Sequence, residues 1–405
     1  MKKTMEVKPK IETFARIKVL GIGGSGTNAV NRMSQLGIRG VEFISINTDA
    51  QALHNNQADR KVHIGKGITK GLGSGMNPEL GRQAAEETIE ELEEVIDNAD
   101  MVFLTCGLGG GTGTGAAPIV AELAKNKGIL TVAVVTKPFT FEGSKRKEVA
   151  ETGYDNLKDK VDAIISIHND RILQIIDKKT SLVEAFKTVD EVLRQGISGI
   201  SDLITTHGIV NADFADVRSI MQDAGTALMG IGRAAGDTRA QDAARLAINS
   251  PLLEMTIDGA KGVLFNITGG SSLGMFEIDE AAKVITKSID PDAKVKFGAV
   301  IDESMGDEVR ITVIATGFDE DNKRPLPVQL PTREEPKKPA AAEPRNFPPA
   351  QPEIRKPLFN PQPTPPVHHP APIQPIQPIS RPAPEDPAAA DDELDIPAFI
   401  RKKMK

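Results

Sequence analysis

Tryptophan is absent from this 405-residue chain, tyrosine and cysteine each occur once, and aromatic residues make up only 4% of it. So few rings argue against a base-stacking platform for nucleic acid and leave the core to Ile, Val, Leu, Ala and Met. The lone Cys106 excludes an intrachain disulfide and fits a reducing compartment; at the end of an apolar run it reads as a small buried residue. Basic excess is also missing. The formal charge is −7, which argues against a general nucleic-acid binder. No stretch approaches the roughly 18 apolar residues of a membrane span, and the basic start MKKTMEVKPK is not followed by an apolar signal region. The expectation is a cytoplasmic protein. Histidines such as His168 and His207 lack metal-ligand spacing, so no bound transition metal is expected. An ordinary P-loop, G-x-x-x-x-G-K-[ST], does not occur.

Glycine, by contrast, is plentiful and unevenly placed. In MVFLTCGLGGGTGTGAAPIV (101–120), six glycines fall within nine residues. Met101–Cys106 reads as a buried strand and Ala116–Ala124 as a helix in which Pro118 comes early. A glycine loop at such a junction brings free backbone N–H groups to the positive end of a helix dipole, with Thr112 and Thr114 as further donors. That is an anion cradle. A second loop, in IKVLGIGGSGTNAVNRM, satisfies G-x-G-x-x-G at Gly21, Gly23 and Gly26, and a third, GLGSGMNP, spans 71–78. The first motif together with Asp49 also fits an NAD-dependent oxidoreductase. That alternative leaves the other two loops unused, whereas three loops suit a polyphosphate.

From Ile17 to Phe318 strand-like runs alternate with helical patterns, which predicts an α/β fold with largely parallel sheets. Expected strands are Ile17–Leu20, Val41–Asn47, Met101–Cys106, Thr131–Thr136, Ala163–His168, Gly262–Thr268 and Glu308–Thr316. Expected helices are Pro78–Ile96, Ser181–Thr206 and Ile278–Ile289. Beyond Phe318 the composition changes, and 21 of the 28 prolines lie between 325 and 390. Such a segment cannot build a core and reads as a disordered tether. The last residues regain apolar content: Ile396, Phe399 and Ile400 stand at helical spacing with Pro397 at the start, the pattern of a short docking peptide.

GGGTGTG (109–115), the preceding GIGGSGTNAVNRM and the later NADFADV (211–217) together closely resemble the FtsZ family of tubulin-like GTPases of bacterial cell division, over residues ~15–318; DIPAFIRKK resembles that family's C-terminal partner-binding peptide. The resemblance implies a tubulin/FtsZ-like fold: a Rossmann-type GTPase domain (15–180), a central helix and catalytic loop (181–224) and a smaller α/β domain (225–318). A flexible N-terminus (1–14), a Pro-rich linker (319–390) and the peptide (391–405) complete it. It implies GTP or GDP with Mg²⁺ as cofactors. Gly109, Gly110, Gly111, Thr112, Gly113 and Thr114 would wrap the phosphates, with Gly24, Ser25, Gly26 and Thr27 from the first loop and Gly75 from the third. Asn28, Phe186 and Asp190 would hold the guanine, and Glu142 and Arg146 the ribose and phosphate. A carboxylate at Asp190 accepts from guanine N1–H and the 2-amino group together, a donor pair adenine lacks. From sequence alone Phe186 also fits a core-facing position, and Asp216 a helix N-cap.

By the same resemblance Asn211, Asp213 and Asp216 enter the nucleotide site of the next subunit, so that head-to-tail filaments form the active site. Such a heterologous contact generates an open polymer when its rotation does not close. The tail, through Ile396, Pro397, Phe399 and Ile400, would bind membrane-tethering and regulatory division proteins at midcell, with no membrane span of its own and no nucleic acid. A scaffold that polymerises without hydrolysis is the remaining alternative.

Overall fold

Every residue of the first strand, β1 (Ile17–Ile22), is buried, because both faces of the sheet it belongs to are covered. The computed structural model describes residues 15–318 apart from 39, 178, 206–209, 211, 212 and 254. After β1 follow α1 (Gly23–Leu36), β2 (Val41–Asn47), α2 (Ala50–His54), β3 (Arg60–His63), α3 (Lys66–Thr69), α4 (Pro78–Glu87) and α5 (Ile89–Ile96). Next come β4 (Met101–Gly107), α6 (Thr112–Asn126), β5 (Leu130–Lys137), α7 (Ser144–Lys158), β6 (Ala163–His168), α8 (Asn169–Ile172) and the long α9 (Leu182–Thr205). The remainder is α10 (Phe214–Met221), β7 (Gly225–Ala235), α11 (Arg239–Ile248), β8 (Gly262–Gly269), α12 (Met275–Thr286), β9 (Lys294–Ile301) and β10 (Glu308–Thr316).

The strand order is β3-β2-β1-β4-β5-β6-β7-β10-β8-β9. Strands β1 to β6 are all parallel, and their order reverses between β1 and β4, which places a crevice at the carboxyl ends of those two strands. Side chains of β1 alternate between two cores. Ile17 and Val19 join one with α1 and α9, while Leu20 and Ile22 join the other with α4, α5 and α6. β7 bridges the halves: its first residues pair parallel with β6, and the rest pair antiparallel with β10. β10 in turn is antiparallel to β8, which runs parallel to β9. A third core lies around α11, α12 and this second set of strands.

Two expectations need correction. Pro78–Ile96 is not one helix but two, because the Thr88 hydroxyl donates to the Ala84 carbonyl at 2.6 Å and its own N–H turns to Ala85. Helix α6 begins at Thr112 rather than Ala116, so Pro118 is its seventh residue and leaves Thr114 without the usual N–H partner. Two glycines of the loop are therefore helical residues that permit close packing. A Cβ at Gly115 would stand 1.9 Å from the Pro78 carbonyl oxygen of α4. The docking-peptide residues Ile396, Pro397, Phe399 and Ile400 lie outside the described residues.

Candidate nucleotide site

Helices α1 and α6 start side by side at the crevice. Gly23, at φ +72°, turns β1 into α1, and a Cβ there would lie 2.6 Å from the Gly113 nitrogen. Neither helix has a side-chain cap at its first turn. Their leading N–H groups, from Gly24 and Ser25 in one and Thr112, Gly113 and Thr114 in the other, are thus available to an anion with two dipoles behind them, whereas Gly26, fourth in α1, uses its N–H within the helix. The Gly110 N–H, just before α6, also has no hydrogen-bond partner among the described residues.

The hydroxyls behave differently from the sequence expectation. Thr112 Oγ1 is engaged with Thr48 Oγ1 at 2.9 Å and Ser74 Oγ at 2.7 Å, and Thr114 Oγ1 accepts from the Gly109 N–H at 3.0 Å. Thr27 Oγ1 donates to the Gly23 carbonyl at 2.9 Å. These side chains hold the loops in place, leaving the backbone to face the crevice. Gly111 N–H donates to the Gly75 carbonyl at 2.8 Å, which ties the third loop to the glycine loop before α6. Open space lies beyond Gly24, Gly73 and Gly75, where an added Cβ would meet nothing within 4 Å, and beyond Gly110, where it would meet only one oxygen at 4.0 Å. Crowding confines the others: Gly111 faces Ser74 and Gly75, and Gly109, at φ +93°, faces the backbone of Arg146.

Beside this cradle opens a cavity of about 350 Å³ lined by Ser25, Asn28, Gly107, Leu108, Thr136, Pro138, Glu142, Arg146, Asn169, Phe186 and Asp190. Six of these were singled out from sequence. Phe186 and Asp190 are one turn apart on α9 and share a face. Phe186 is not in the core; 41% exposed, it meets the buried Phe139 edge-on, with ring centroids 5.5 Å apart. Asp190 is paired with Arg32 of α1 at 3.4 Å. Burial pushes its carboxyl up to about 6, and the Arg32 guanidinium opposes that rise. Glu142 accepts from the Phe139 N–H at 2.8 Å and pairs with Arg146 at 3.1 Å. Two buried polar atoms at this cavity, Arg146 Nε and Asn169 Oδ1, have no hydrogen-bond partner among the described residues. Unpaired groups of this kind are costly unless a ligand completes them. Arg32 and Asn169 were not singled out from sequence. Asn169 follows a strand end, which is a usable signal, whereas Arg32 reads as a surface helix residue until α9 is packed beside it.

The aspartate segment lies elsewhere. Asp213, rather than Asp216, is the N-cap of α10, accepting from the Ala215 N–H at 3.3 Å; Asp216 sits in the first turn and pairs with Lys296 of β9 at 2.9 Å. Asn211 is outside the described residues. Near the end of α10, Arg218 donates to the Gly128 carbonyl at 2.9 Å, just before β5 begins. The segment also follows the end of α9, where the Thr205 side chain lies against Gly40, just before β2 begins. The glycine loops are at the finishing ends. The length of the eight-residue β5, roughly 23 Å, therefore separates the two features within one chain.

Among the described residues no three His, Cys, Asp or Glu side chains gather to hold a metal ion. These residues thus include no carboxylate cage for magnesium; a Mg²⁺ ion carried by phosphate oxygens and water does not require one. No helix among the described residues is long and apolar enough to cross a membrane.

Two family models match: the GTPase domain of the Tubulin/FtsZ family over residues 16–177, and the C-terminal domain of the FtsZ family over 225–319. An empty FtsZ dimer structure from M. jannaschii is similar at 45% identity and a TM-score of 0.73, covering 75% of this chain and 89% of that one. A point mutant of FtsZ from M. jannaschii is similar at the same identity and TM-score, with 92% of that chain covered. CetZ2 from Haloferax volcanii, a protofilament with GTPγS bound, shares the fold at 21% identity and a TM-score of 0.65, covering 76% of this chain and 95% of that one.

Proposed function

As the chain belongs to the FtsZ family of tubulin-like GTPases, we propose that it assembles head to tail into filaments and hydrolyses GTP only where one copy's aspartate segment meets the next copy's glycine loops. One observation carries this reading. The two features lie at opposite ends of the same parallel strands, out of reach of each other within a chain, and copies stacked end to end would bring them face to face.

The first turns of α1 and α6, with Gly110 and the Gly75 loop, hold the phosphates through backbone N–H groups. Asp190 accepts from guanine, Phe186 stacks on it and Asn28 lies alongside. Arg146 and Glu142 take the phosphate and ribose, giving the unpaired Arg146 Nε a partner. Asp213 and Asp216, with Asn211, orient the attacking water at the neighbour's terminal phosphate. Magnesium, when bound, neutralises phosphate charge and is held by the nucleotide and water. Hydrolysis removes the group that both copies grip, so it weakens the contact that made it possible.

The setting we infer is cytoplasmic, at midcell in a bacterial division ring. Residues 15–180, 181–224 and 225–318 serve as GTPase domain, connecting helix with catalytic loop, and second domain. In this reading 391–405 bind membrane-tethering and regulatory division proteins; residues 1–14 and 319–405 lie outside the described residues.

GTP turnover per subunit, measured with Mg²⁺ over a range of protein concentrations, tests the proposal. A rate that appears only above a threshold supports a site built between copies. A rate independent of concentration places catalysis inside one chain and refutes it.

A further inference from the structure

β9 grips the aspartate segment at two points. The Ala299 N–H donates to the Val210 carbonyl at 3.0 Å, and Lys296 Nζ stands 2.9 Å from Asp216 Oδ1. Between them Gly298 lets the backbones approach, since a Cβ there would lie 3.3 Å from the Val210 oxygen and 2.2 Å from the Leu203 side chain. The Val210 contact is backbone and rigid. The Lys296 contact is a side-chain ion pair, with 45% of the lysine and 35% of the aspartate side chain exposed.

An ion pair this open adds little to folding, so its presence asks for another account. A carboxylate approaching a triphosphate meets repulsion from charge of the same sign, whereas a carboxylate with an ammonium at 2.9 Å approaches as a neutral pair. Lys296 also restricts where the Asp216 carboxylate points. We propose that Lys296 is a positioning residue for GTP hydrolysis, holding Asp216 against β9 and offsetting its charge where the segment meets the neighbouring copy's nucleotide. The inference rests on the reading that this segment completes a second copy's site.

The test uses the full chain with Lys296→Met, Lys296→Arg and Asp216→Ala, followed by GTP turnover and the assembly threshold from light scattering. Lys296→Met is expected to lower kcat about fivefold while the threshold and the melting temperature stay put, and Lys296→Arg to return kcat to within about twofold. Asp216→Ala is expected to abolish turnover, and adding Lys296→Met to it to change nothing more. Wild-type kcat in Lys296→Met, with Asp216→Ala inactive, overturns this inference alone. Wild-type kcat in Asp216→Ala overturns both it and the underlying reading. Equal loss in Lys296→Met and Lys296→Arg also overturns it, because a lost charge would then not be the cause.

Discussion

Asp190 of α9, which lines the cavity beside the glycine loops, and Arg32 of α1 face each other at 3.4 Å. The arginine offsets only part of the cost of burying the carboxylate, whose pKa is pushed up to about 6. In the proposed reading, recognition of guanine needs the ionised form. As pH falls through 6, guanine-nucleotide affinity should drop, by about tenfold between pH 7.5 and 5. The empty protein should behave in the opposite sense: because the folded pKa lies above the usual carboxylate value, Asp190 favours folding most at low pH and loses that contribution as pH rises through 6. Nucleotide titrations and denaturant melts across this range check both trends, and Asp190→Asn should flatten the component centred near 6.

Gly110 and Gly115 should respond differently to the same substitution. Gly115→Ala drives a methyl into the Pro78 carbonyl at 1.9 Å, so α4 and α6 must separate, at a cost of about 1–3 kcal/mol or more. Gly110→Ala meets nothing closer than 4.0 Å and should fold normally, yet its methyl occupies the space assigned to phosphate. Thermal melts should single out Gly115→Ala, and GTP affinity in a stable protein should single out Gly110→Ala.

Arg239 should be the most sensitive charged residue in the second half of the chain. Its guanidinium holds Glu277 through two bonds of 2.7 and 3.0 Å and also donates to the Asp307 and Ser272 carbonyls, joining α11, α12 and the turn before β10. Truncation leaves the half-buried Glu277 carboxylate without its partner, so Arg239→Ala should cost about 1–3 kcal/mol in denaturant unfolding. Lys at the same position keeps the charge but not the fork and should recover only part of it.

Strands with strong β-formers were legible in the sequence, among them β2, β4 and β6. β7 was not, because GTALMGIGRAA has only Thr226 and Ile231 as β-branched residues among three glycines and three alanines. Its glycines have a packing reason that only the fold reveals: a Cβ at Gly230 or Gly232 would lie 2.0 Å from a carbonyl oxygen of α11. β3 is short and β9 is an edge strand with two exposed lysines, so neither carries a buried pattern. At the site, spacing pointed to the glycine loops, since helix N-termini that bind anions leave a local signature. What spacing could not tell was which glycines face a ligand and which face a neighbouring helix. Nor could it pair Arg32 with Asp190, or Asp216 with Lys296, across 158 and 80 residues of chain respectively. Those contacts depend on tertiary packing alone.

Mixing two defective variants tests the shared site most directly. Asp216→Ala keeps its glycine loops and Asp190→Ala keeps its aspartate segment, and each alone should turn over GTP poorly. If the site is built between copies, a junction with the loops of the first and the segment of the second is intact, and the mixture should hydrolyse GTP well above the sum of its parts. Turnover no greater than that sum would contradict a site shared between two copies.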